Sequence, residues 1–459
     1  MKSSEKAVNQ NRIPAKKENA GSFSLKPRIH HKINDFLSNS PDKMFDLIEA
    51  FGSPINIMFP EIINENIKRF QGVYDKHSLE GCIYVSTKPN KSWAVIKEAA
   101  LNNVGVDVSS ENALRKALGC GFDAGRMECT GPKNLDYLTL AIQHNIIINV
   151  DNFEELEQIL ALRNTIRPTD KTRIFVRLSG FHTTRMKFTP HDGTFGIHVD
   201  KSPEIIEFLK KHETELEFLG YSFHFNSKVI EQKIVALENI LTKTLEAMQS
   251  GLSPKGVNIG GGFDIAYAES KEDWVTYVNT LKESLRDYSE SLTWNNGGLG
   301  FRNEGGLIKG GPAFLDHHPD KCGVEEFDEL LSLNLPALKN MSMAEFLRDC
   351  LLELYIEPGR SLFDQLGITA GRVNHVKTST DGETLVNLDM NRSSLNSAQQ
   401  KLLTDPVILR SDNGERAACP NGVYYTGNLC LSYDMLTYNK TFPDFLPNAG
   451  DIVIFMNTA

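Results

Sequence analysis

The sequence has 459 residues, of which 40% are hydrophobic and 24% charged, as in ordinary globular proteins. This length predicts about two or three domains. A formal net charge of −10 argues against a nucleic-acid partner, because there is no basic surplus to neutralise phosphates. The seven cysteines are scattered without paired spacing, so we predict reduced thiols and no metal site. No signal peptide or membrane-length apolar run is evident, and we expect a cytoplasmic protein without a membrane partner.

Polar composition predicts that residues 1–27 form a disordered tail. Residues 28–50 are expected to form an N-terminal segment that packs on a later β domain. From residue 51 onward, short apolar runs alternate with amphipathic stretches, which predicts strands followed by helices. The predicted strands are Ile55–Phe59, Cys82–Thr87, Gly105–Ser109, Met127–Thr130, Ile146–Val150, Ile174–Leu178, Leu219–Phe225, Val257–Ile259 and Leu354–Glu357. The predicted helices are Ile62–Tyr74, Ser92–Asn102, Asn112–Leu118, Leu135–His144 and Phe153–Leu162.

About eight strand-plus-helix units in succession predict an α/β protein with a (β/α)8 barrel over residues 51–366. An open, doubly wound sheet would give the same local pattern and stays the alternative. Residues 367–459 are rich in strands and predict a C-terminal β domain. The Gly/Asn-rich stretch Asn295–Lys321 lies in a predicted insertion near 290–345, either a surface loop or a lid over an enlarged pocket.

Two residues that end predicted barrel strands carry reactive side chains, and barrel enzymes place their chemistry at strand ends. Lys88 directly follows the strand Cys82–Thr87, where its amine is well placed to attack an aldehyde. His224 ends the strand Leu219–Phe225, where an imidazole can stack on a planar ring or transfer a proton. Taken alone, each residue has an ordinary alternative, a surface lysine and a hydrogen-bonded core histidine.

Two further strand ends suit an anion and a heterocycle. Gly260-Gly261-Gly262-Phe263 follows the strand Val257–Ile259, and consecutive glycines let backbone N–H groups converge on a phosphate. Glu357-Pro358-Gly359-Arg360 ends the last predicted barrel strand. Its carboxylate can bond a protonated pyridine nitrogen, and its arginine can bind a carboxylate or phosphate as a fork. The alternatives are a plain turn and a structural Glu–Arg pair.

Taken together, these strings resemble the fold-type III pyridoxal-phosphate (PLP) decarboxylases, the family of diaminopimelate, ornithine and arginine decarboxylases. Two looser echoes of the family are Thr130-Gly131, for its T-G, and the string from Val106 to Ser110, for its F-D-V-x-S. The family's K-A-N, H-x-G-S, GGGF, EPGR and CxxxD strings match, in family order, Lys88-Pro89-Asn90, His224-Phe225-Asn226-Ser227, Gly260–Phe263, Glu357–Arg360 and Cys430-Leu431-Ser432-Tyr433-Asp434.

The resemblance implies pyridoxal 5'-phosphate as the cofactor and assigns a role to each matching residue. Lys88 would hold the cofactor as a Schiff base, His224 would stack on its ring, and Glu357 would pair with its pyridinium nitrogen. Cys430 would return a proton to Cα, supplied across the interface of a homodimer with shared active sites. The remaining cofactor-binding residues would be Asp107, Arg177, Ser227, Gly260, Gly261, Gly262, Gly359 and Arg360.

The sequence also departs from the family pattern. The acidic residue expected after the cysteine is Leu431 here, and an apolar side chain cannot pair with a substrate ammonium, although Asp434 is an alternative partner. Arg185 and Lys187 lie where the family's substrate-side loop falls and could bind an acidic group. The sequence ends at Ala459, before the family's G-A-Y string whose Tyr contacts the phosphate, so we expect an incomplete β domain.

These features predict PLP-dependent decarboxylation of an amino acid. Because Leu431 argues against diaminopimelate, lysine and ornithine, we expect a modified or conjugated amino acid from specialised metabolism, such as siderophore assembly. Two alternatives stay open: an amino-acid racemase or epimerase on the same barrel, and a protein that binds PLP without catalysis.

Overall fold

The computed structural model describes residues 24–183, 194–224, 230–287, 292–395 and 401–459. In this part of the chain, no helix is both long and apolar enough to span a membrane. The helices are α1 His31–Asn39, α2 Pro41–Phe51, α3 Ile62–His77, α4 Trp93–Ala100, α5 Glu111–Gly119, α6 Leu135–Gln143, α7 Phe153–Ile166, α8 Ser202–Lys211, α9 Ile230–Gln249, α10 Lys271–Asp287, α11 Val324–Ser332 and α12 Met343–Asp349. The strands are β1 Ile55–Met58, β2 Gly81–Ser86, β3 Gly105–Val108, β4 Met127–Cys129, β5 Ile147–Val150, β6 Thr172–Ser179, β7 Ile197–His198, β8 Leu216–Ser222, β9 Gly256–Asn258, β10 Phe301–Glu304, β11 Leu307–Gly310, β12 Asn334–Leu335, β13 Met341–Ser342, β14 Glu353–Ile356, β15 Gly367–Thr378, β16 Thr384–Leu388, β17 Val407–Leu409, β18 Tyr424–Thr426 and β19 Ile452–Met456.

Eight parallel strands form a closed barrel. They pair in the order β5-β4-β3-β2-β14-β9-β8-β6, and β5 also pairs with β6, which closes the ring. Helices connect most successive strands, as parallel pairing requires. The predicted (β/α)8 barrel is therefore confirmed, and closure excludes the open doubly wound sheet.

The first predicted strand lies outside this barrel. Residues 55–58 form β1, which pairs antiparallel with the start of β15 so that Ile55 lies opposite Ala370 and Met58 opposite Gly367. Barrel strands such as β3 are buried at every position, whereas β1 is only partly buried. The alternation Ile-Asn-Ile-Met fits this two-faced environment, and the Asn56 amide oxygen accepts a hydrogen bond from Thr369 Oγ1 at 2.7 Å.

Large apolar side chains fill the middle of the barrel. Tyr84, Ile147, Phe175, Leu219 and Tyr355 form one buried cluster. The Tyr84 and Tyr355 rings are stacked with centroids 6.0 Å apart, and Phe175 meets Tyr355 edge-on at 5.0 Å. Such a layer makes the barrel interior a packed core and supports whatever lies at the strand ends.

Polar side chains lie directly beyond this layer. Because side chains alternate along a strand, residues two positions apart face the same side. Two positions beyond Tyr84, Ile147, Phe175 and Tyr355, the inward-facing residues are respectively Ser86, Asn149, Arg177 and Glu357. The carboxyl ends of the barrel strands therefore carry a polar layer, and this layer contains the candidate site.

The chain divides into two compact units. The unit that contains the barrel comprises Pro27–Glu269, Asp316–Ala370 and Ile454–Ala459. The second unit comprises the described part of Met1–Lys26 together with Ser270–Leu315 and Gly371–Val453. These divisions differ from the predicted boundaries 51–366 and 367–459, because the helix and hairpin of 270–315 group with the β-rich unit.

Local contacts within the second unit explain this grouping. Thr293 forms a β-bridge with Asn439, and the Trp294 ring lies 5.2 Å from the Tyr424 ring. The sheet of this part of the chain is mixed, since β16 pairs antiparallel with β15 but parallel with β18. The stretch Asn295–Lys321, predicted as a loop, contains the hairpin β10–β11.

The N-terminal region is more ordered than predicted where the structure describes it. Residues 1–23 of the predicted tail lie outside the described residues. The Ser24 hydroxyl and the Leu25 N–H both donate to Asp405 Oδ2 at 2.9 Å, and Leu25 is buried. Residues 28–50 contain α1 and α2 and belong to the unit with the barrel. That they pack on the β domain stays a prediction.

Candidate functional site

A cavity of about 570 Å³ opens at the carboxyl end of the barrel strands. Most of the predicted site residues from the barrel line it. They are Lys88, Asp107, Arg177, His224, Gly262, Glu357, Gly359 and Arg360. The structure thus brings together strand ends that are far apart in sequence, which the motif order alone could not establish.

Lys88 is presented by the turn that ends β2. The Thr87 N–H donates to the Asp107 carbonyl at 3.0 Å, which extends the pairing of β2 and β3 by one residue. The Lys88 N–H then approaches Ser86 Oγ at 3.4 Å. These backbone contacts hold the turn, and the Lys88 side chain remains exposed to the cavity.

Asp107 is a buried carboxyl at the end of β3. Its carboxylate accepts hydrogen bonds from Ser86 Oγ at 2.8 Å and from the Thr130 hydroxyl. Burial raises the pKa of Asp107, an effect that these two hydroxyls and the charges of Lys88 and Arg177 partly offset. The neighbouring cationic side chains therefore favour its ionised form.

Glu357 directly follows β14 and lines the same cavity as Asp107. Its N–H donates to the Gly260 carbonyl at 2.8 Å, and its Oε1 accepts a hydrogen bond from Asn258 Nδ2 at 2.9 Å. Burial and the negative charge of Asp107 raise the pKa of Glu357 to about 8. A carboxyl in this state gains strongly from a cation placed beside it.

The glycine string, Gly260 to Gly262, packs against its neighbours so closely that its first two positions have no room for a side chain. A Cβ at Gly260 would lie 2.7 Å from His224 Nδ1, and one at Gly261 would lie 2.1 Å from the Glu357 carbonyl oxygen. Gly262 has φ +88°, in the left-handed region. The Gly261 N–H donates to His224 Nδ1 at 3.2 Å and fixes the ring at the cavity edge.

The His224 ring is open to the cavity on one side and enclosed by protein elsewhere. Burial, followed by the positive charges of Arg177, Lys88 and Lys233, lowers the pKa of His224 to about 4. The imidazole is therefore neutral at physiological pH, which suits a ring that stacks on a flat ligand rather than one that supplies a cation.

A buried ion pair between Lys233 and Glu326 supports the glycine string. Lys233 Nζ donates to the Gly262 carbonyl at 3.0 Å and pairs with Glu326. The other Glu326 oxygen accepts the Asp264 N–H at 2.9 Å. Glu326 comes from α11, inside the segment predicted as a surface insertion or lid, so this part of it supports the site.

Two arginines flank the cavity. The Arg360 guanidinium donates to the Tyr267 hydroxyl at 3.1 Å and follows Gly359, the first residue of a short 3-10 helix. The Arg177 guanidinium lies over the Phe195 ring, 5.0 Å from its centroid. Both side chains therefore have neutral partners that orient them and leave their charge available to an anion.

The remaining predicted residues lie elsewhere. Cys430 and Leu431 are exposed in the second unit, where they line a separate cavity of about 700 Å³. Asp434 is buried there, and its carboxylate accepts the Arg392 N–H at 2.8 Å and the Leu429 N–H at 2.9 Å. Asp434 thus stabilises its own loop, and we do not assign it to substrate binding. The predictions for Ser227, Arg185 and Lys187 fall outside the described residues.

Sequence reasoning missed a set of polar residues inside the barrel. Glu128, Asn149, Ser222 and Asn258 are all buried and hydrogen-bonded to one another or to Glu357. The available signal was the occurrence of polar residues at inward-facing positions of otherwise apolar strands. Such residues are costly to bury and usually belong to a functional network.

The residues of the cavity fit an anionic, aldehyde-bearing nitrogen heterocycle. Lys88 supplies an amine, and Glu357 supplies a half-buried carboxyl without a cationic hydrogen-bond partner among the described residues. Gly262 of the glycine string and Arg360 line the same cavity. An aldehyde, a ring nitrogen and a phosphate would each meet a complementary group.

Comparison with known protein families agrees with this chemistry. Residues 61–296 match the family described as "Pyridoxal-dependent decarboxylase, pyridoxal binding domain". The match spans β2 to β9 of the barrel and includes Lys88, His224 and the glycine string.

Curated relatives and solved structures cover most of the chain. The uncharacterized protein y4yA of Sinorhizobium fredii is 27% identical over 95% of this chain and 89% of its own. Diaminopimelate decarboxylase of Bacillus methanolicus is 23% identical over 87% of this chain and 81% of its own. Diaminopimelate decarboxylase of M. jannaschii, in complex with L-lysine, superposes with TM-score 0.65 at 18% identity, covering 90% and 84% of the two chains. The Paramecium bursaria Chlorella virus arginine decarboxylase bound to agmatine gives TM-score 0.63 at 17% identity, covering 91% and 94%. At these identities the structures establish the shared fold.

Proposed function

Because the chain belongs to the family of pyridoxal-dependent decarboxylases, we propose that it removes the α-carboxylate from an amino acid whose side chain does not end in a free ammonium group. The cofactor is pyridoxal 5'-phosphate. The observation that carries the proposal is that one cavity is lined by Lys88, Glu357, Arg360 and Gly262 of the glycine string.

Four groups of this chain would hold the cofactor. Lys88 Nζ would attach covalently to the aldehyde carbon, and Arg360 with Gly262 would bind the phosphate. Glu357 would face the ring nitrogen, and its raised pKa supports this role because a protonated nitrogen is the cation that this carboxyl lacks. The neutral His224 ring would stack on the heterocycle.

The bound cofactor supplies an electron sink for the pair released from the Cα–carboxylate bond. The chain's own residues then control protons. Glu357, as an anion, keeps the ring nitrogen protonated. Cys430, exposed on its loop, is the predicted donor that returns a proton to Cα, and the family resemblance implies that a partner subunit delivers it.

Leu431 supports the substrate assignment. It occupies the position after Cys430 where the resemblance predicts an acid, and it is 45% exposed on the loop. The similar structures named above bind L-lysine and agmatine, molecules with a cationic end. Leu431 has no charge to pair with a cationic group at the far end of a substrate. It is compatible with a substrate whose distal nitrogen is modified or conjugated and therefore uncharged.

A substrate panel tests the proposal. Purified PLP-loaded protein is assayed for CO2 release with diaminopimelate, lysine, ornithine and arginine, and with the same amino acids acylated at the distal nitrogen. We expect faster release from the acylated set. Leu431→Asp should raise turnover of lysine, whereas Leu429→Asp, at a residue of similar 46% exposure on the same loop, should not. Fastest turnover of a free diamino acid by the natural protein would contradict the substrate class, and no CO2 from any compound would contradict the activity.

A further inference from the structure

A second carboxyl lies deeper in the barrel than Glu357. Glu128, in the centre of β4, is fully buried. Its Oε1 accepts a hydrogen bond from Asn149 Nδ2 at 2.7 Å, and Asn258 Nδ2 lies 3.0 and 2.9 Å from its two carboxyl oxygens. Throughout the described ranges no lysine, arginine or histidine forms an ion pair with it. A buried anion with only neutral partners is costly, so this environment favours the protonated acid.

Asn258 connects this acid to the cofactor site. The same Asn258 Nδ2 lies 2.9 Å from Glu357 Oε1, and Asn258 Oδ1 accepts the Gly260 N–H at 2.8 Å. One amide group thus joins Glu128, Glu357 and the glycine string. Because both Glu128 oxygens face the amide nitrogen, they favour the orientation in which Asn258 offers its NH2 group, not its carbonyl, to Glu357.

Two carboxyls that share one amide donor cannot both be charged at low cost when one of them is fully buried. The charges near the two groups differ. Arg177 and Lys88 favour the anion of Glu357, whereas the acids Glu357 and Asp107 oppose an anion at Glu128. Burial first, and then these two acids, raise the pKa of Glu128 well above its usual range. The proton therefore resides on Glu128.

We propose that Glu128 is a positioning residue of the cofactor site, which stays a neutral carboxylic acid and acts through Asn258 to aim Glu357 at the ring nitrogen, whose positive charge then favours the Glu357 anion. Glu128 does not itself touch the cofactor. The inference deepens the proposed function and rests on its assignment of Glu357 to the ring nitrogen.

The charge of Glu128 is tested with Glu128→Gln, a neutral variant of nearly the same shape. Infrared spectra of the cofactor-free protein at neutral pH should contain the carbonyl band of a protonated carboxylic acid that Glu128→Gln lacks. The control Glu154→Gln, at an exposed residue, should lose no such band. In the PLP-loaded protein, Glu128→Gln should leave the pH dependence of the visible cofactor band unchanged. If no protonated band is lost, or if the midpoint of the visible band moves to lower pH, Glu128 is an anion and the proposal is overturned.

The positioning role is tested with Glu128→Leu, Asn258→Leu and the double variant, using the substrate that the panel identifies. Each single variant should lower kcat by about 10- to 100-fold with little change in KM, as expected for residues that orient a functional group. The double variant should be no slower than the slower single one, because both changes break the same connection. Additive losses would overturn the role.

Glu128→Gln should restore kcat to the natural level, which separates positioning from a general loss of packing. Thermal unfolding and bound PLP are measured for each variant. If the leucine variants do not fold, the infrared and visible spectra of Glu128→Gln still decide the proposal. Those spectra need no turnover, so absence of any decarboxylation by the natural protein would refute the proposed function without deciding the role of Glu128.

Discussion

The ion pair behind the glycine string gives a quantitative prediction. The Lys233 and Glu326 side chains are only 6% and 13% exposed. Removing one partner of a buried pair leaves an uncompensated charge and costs about 3–5 kcal/mol. Glu326→Ala would leave the Lys233 ammonium without its anion and the Asp264 N–H without its acceptor. We therefore expect it to lower the free energy of unfolding by about 3–5 kcal/mol.

Because Lys233 and Glu326 bond both ends of the segment from Gly262 to Asp264, the same variant should bind PLP about tenfold more weakly, as for other supporting residues. Urea unfolding of the cofactor-free protein and absorbance titration with PLP measure the two effects. Lys233→Met combined with Glu326→Leu should recover part of the stability, because the double change leaves no buried charge.

The matched control lies on the same helix. Glu329 in α11 pairs with Lys321 at 2.6 Å, but the two side chains are 33% and 49% exposed. Glu329→Ala should change the free energy of unfolding by less than about 1 kcal/mol and leave PLP affinity unchanged. If Glu326→Ala behaved like Glu329→Ala, burial of the pair and its support of the glycine string would both be wrong.

Three further predictions concern the cavity. The pKa of Glu357 rises from 4.5 to about 8 on folding, so the folded state retains a proton that the unfolded chain loses. The cofactor-free protein should lose stability as pH rises from 4.5 to about 8, and Glu357→Gln should lose less, measured by urea unfolding across this range. Gly261→Ala should destabilise the protein by about 1–3 kcal/mol through the clash with the Glu357 carbonyl, whereas Gly72→Ala in α3, where a Cβ meets nothing within 4 Å, should stabilise it by about 0.5–1 kcal/mol. Arg360→Lys should weaken PLP binding about tenfold in an absorbance titration, because an ammonium cannot bind phosphate as a fork.

Much of the barrel could be predicted because its strands are buried on both faces. A short apolar run between turn residues, such as Ile146–Val150, indicates either an interior strand or a short buried helix. The repeated alternation of such runs with amphipathic stretches favours the strand. The motif strings of the barrel fall at strand ends, where the candidate cavity opens. The cofactor and the decarboxylase class, both predicted from those strings, are confirmed by the family match.

Pairing partners and long-range contacts could not be predicted. A local pattern shows that 55–58 is a strand but not that its partner is β15, more than 300 residues away. The contact between Lys233 and Glu326 likewise joins residues 93 apart in sequence. The sequence therefore did not show that α11, within the predicted insertion, supports the glycine string. Hydrophobic periodicity identifies which face is buried, and it does not encode which surface buries it.

Polar residues of the barrel interior were missed for a related reason. Glu128 and Asn258 each interrupt a short apolar strand, and either could have been an outward-facing residue of a loosely assigned element. The alternation of a strand determines the face only once its register is known. Asp434 was predicted from its motif position as a substrate ligand, and the structure adds that its carboxylate accepts two backbone N–H bonds within its own loop, which the motif does not show.

The central claim is that Lys88 holds the cofactor, and one chemical measurement tests it most directly. Borohydride reduction of the PLP-loaded protein makes the bond between cofactor and lysine permanent, and mass spectrometry of its peptides then locates the added mass. We predict that the mass lies on Lys88 alone and is absent after Lys88→Ala. Added mass on another lysine, or none on a protein that has bound PLP, would contradict the account.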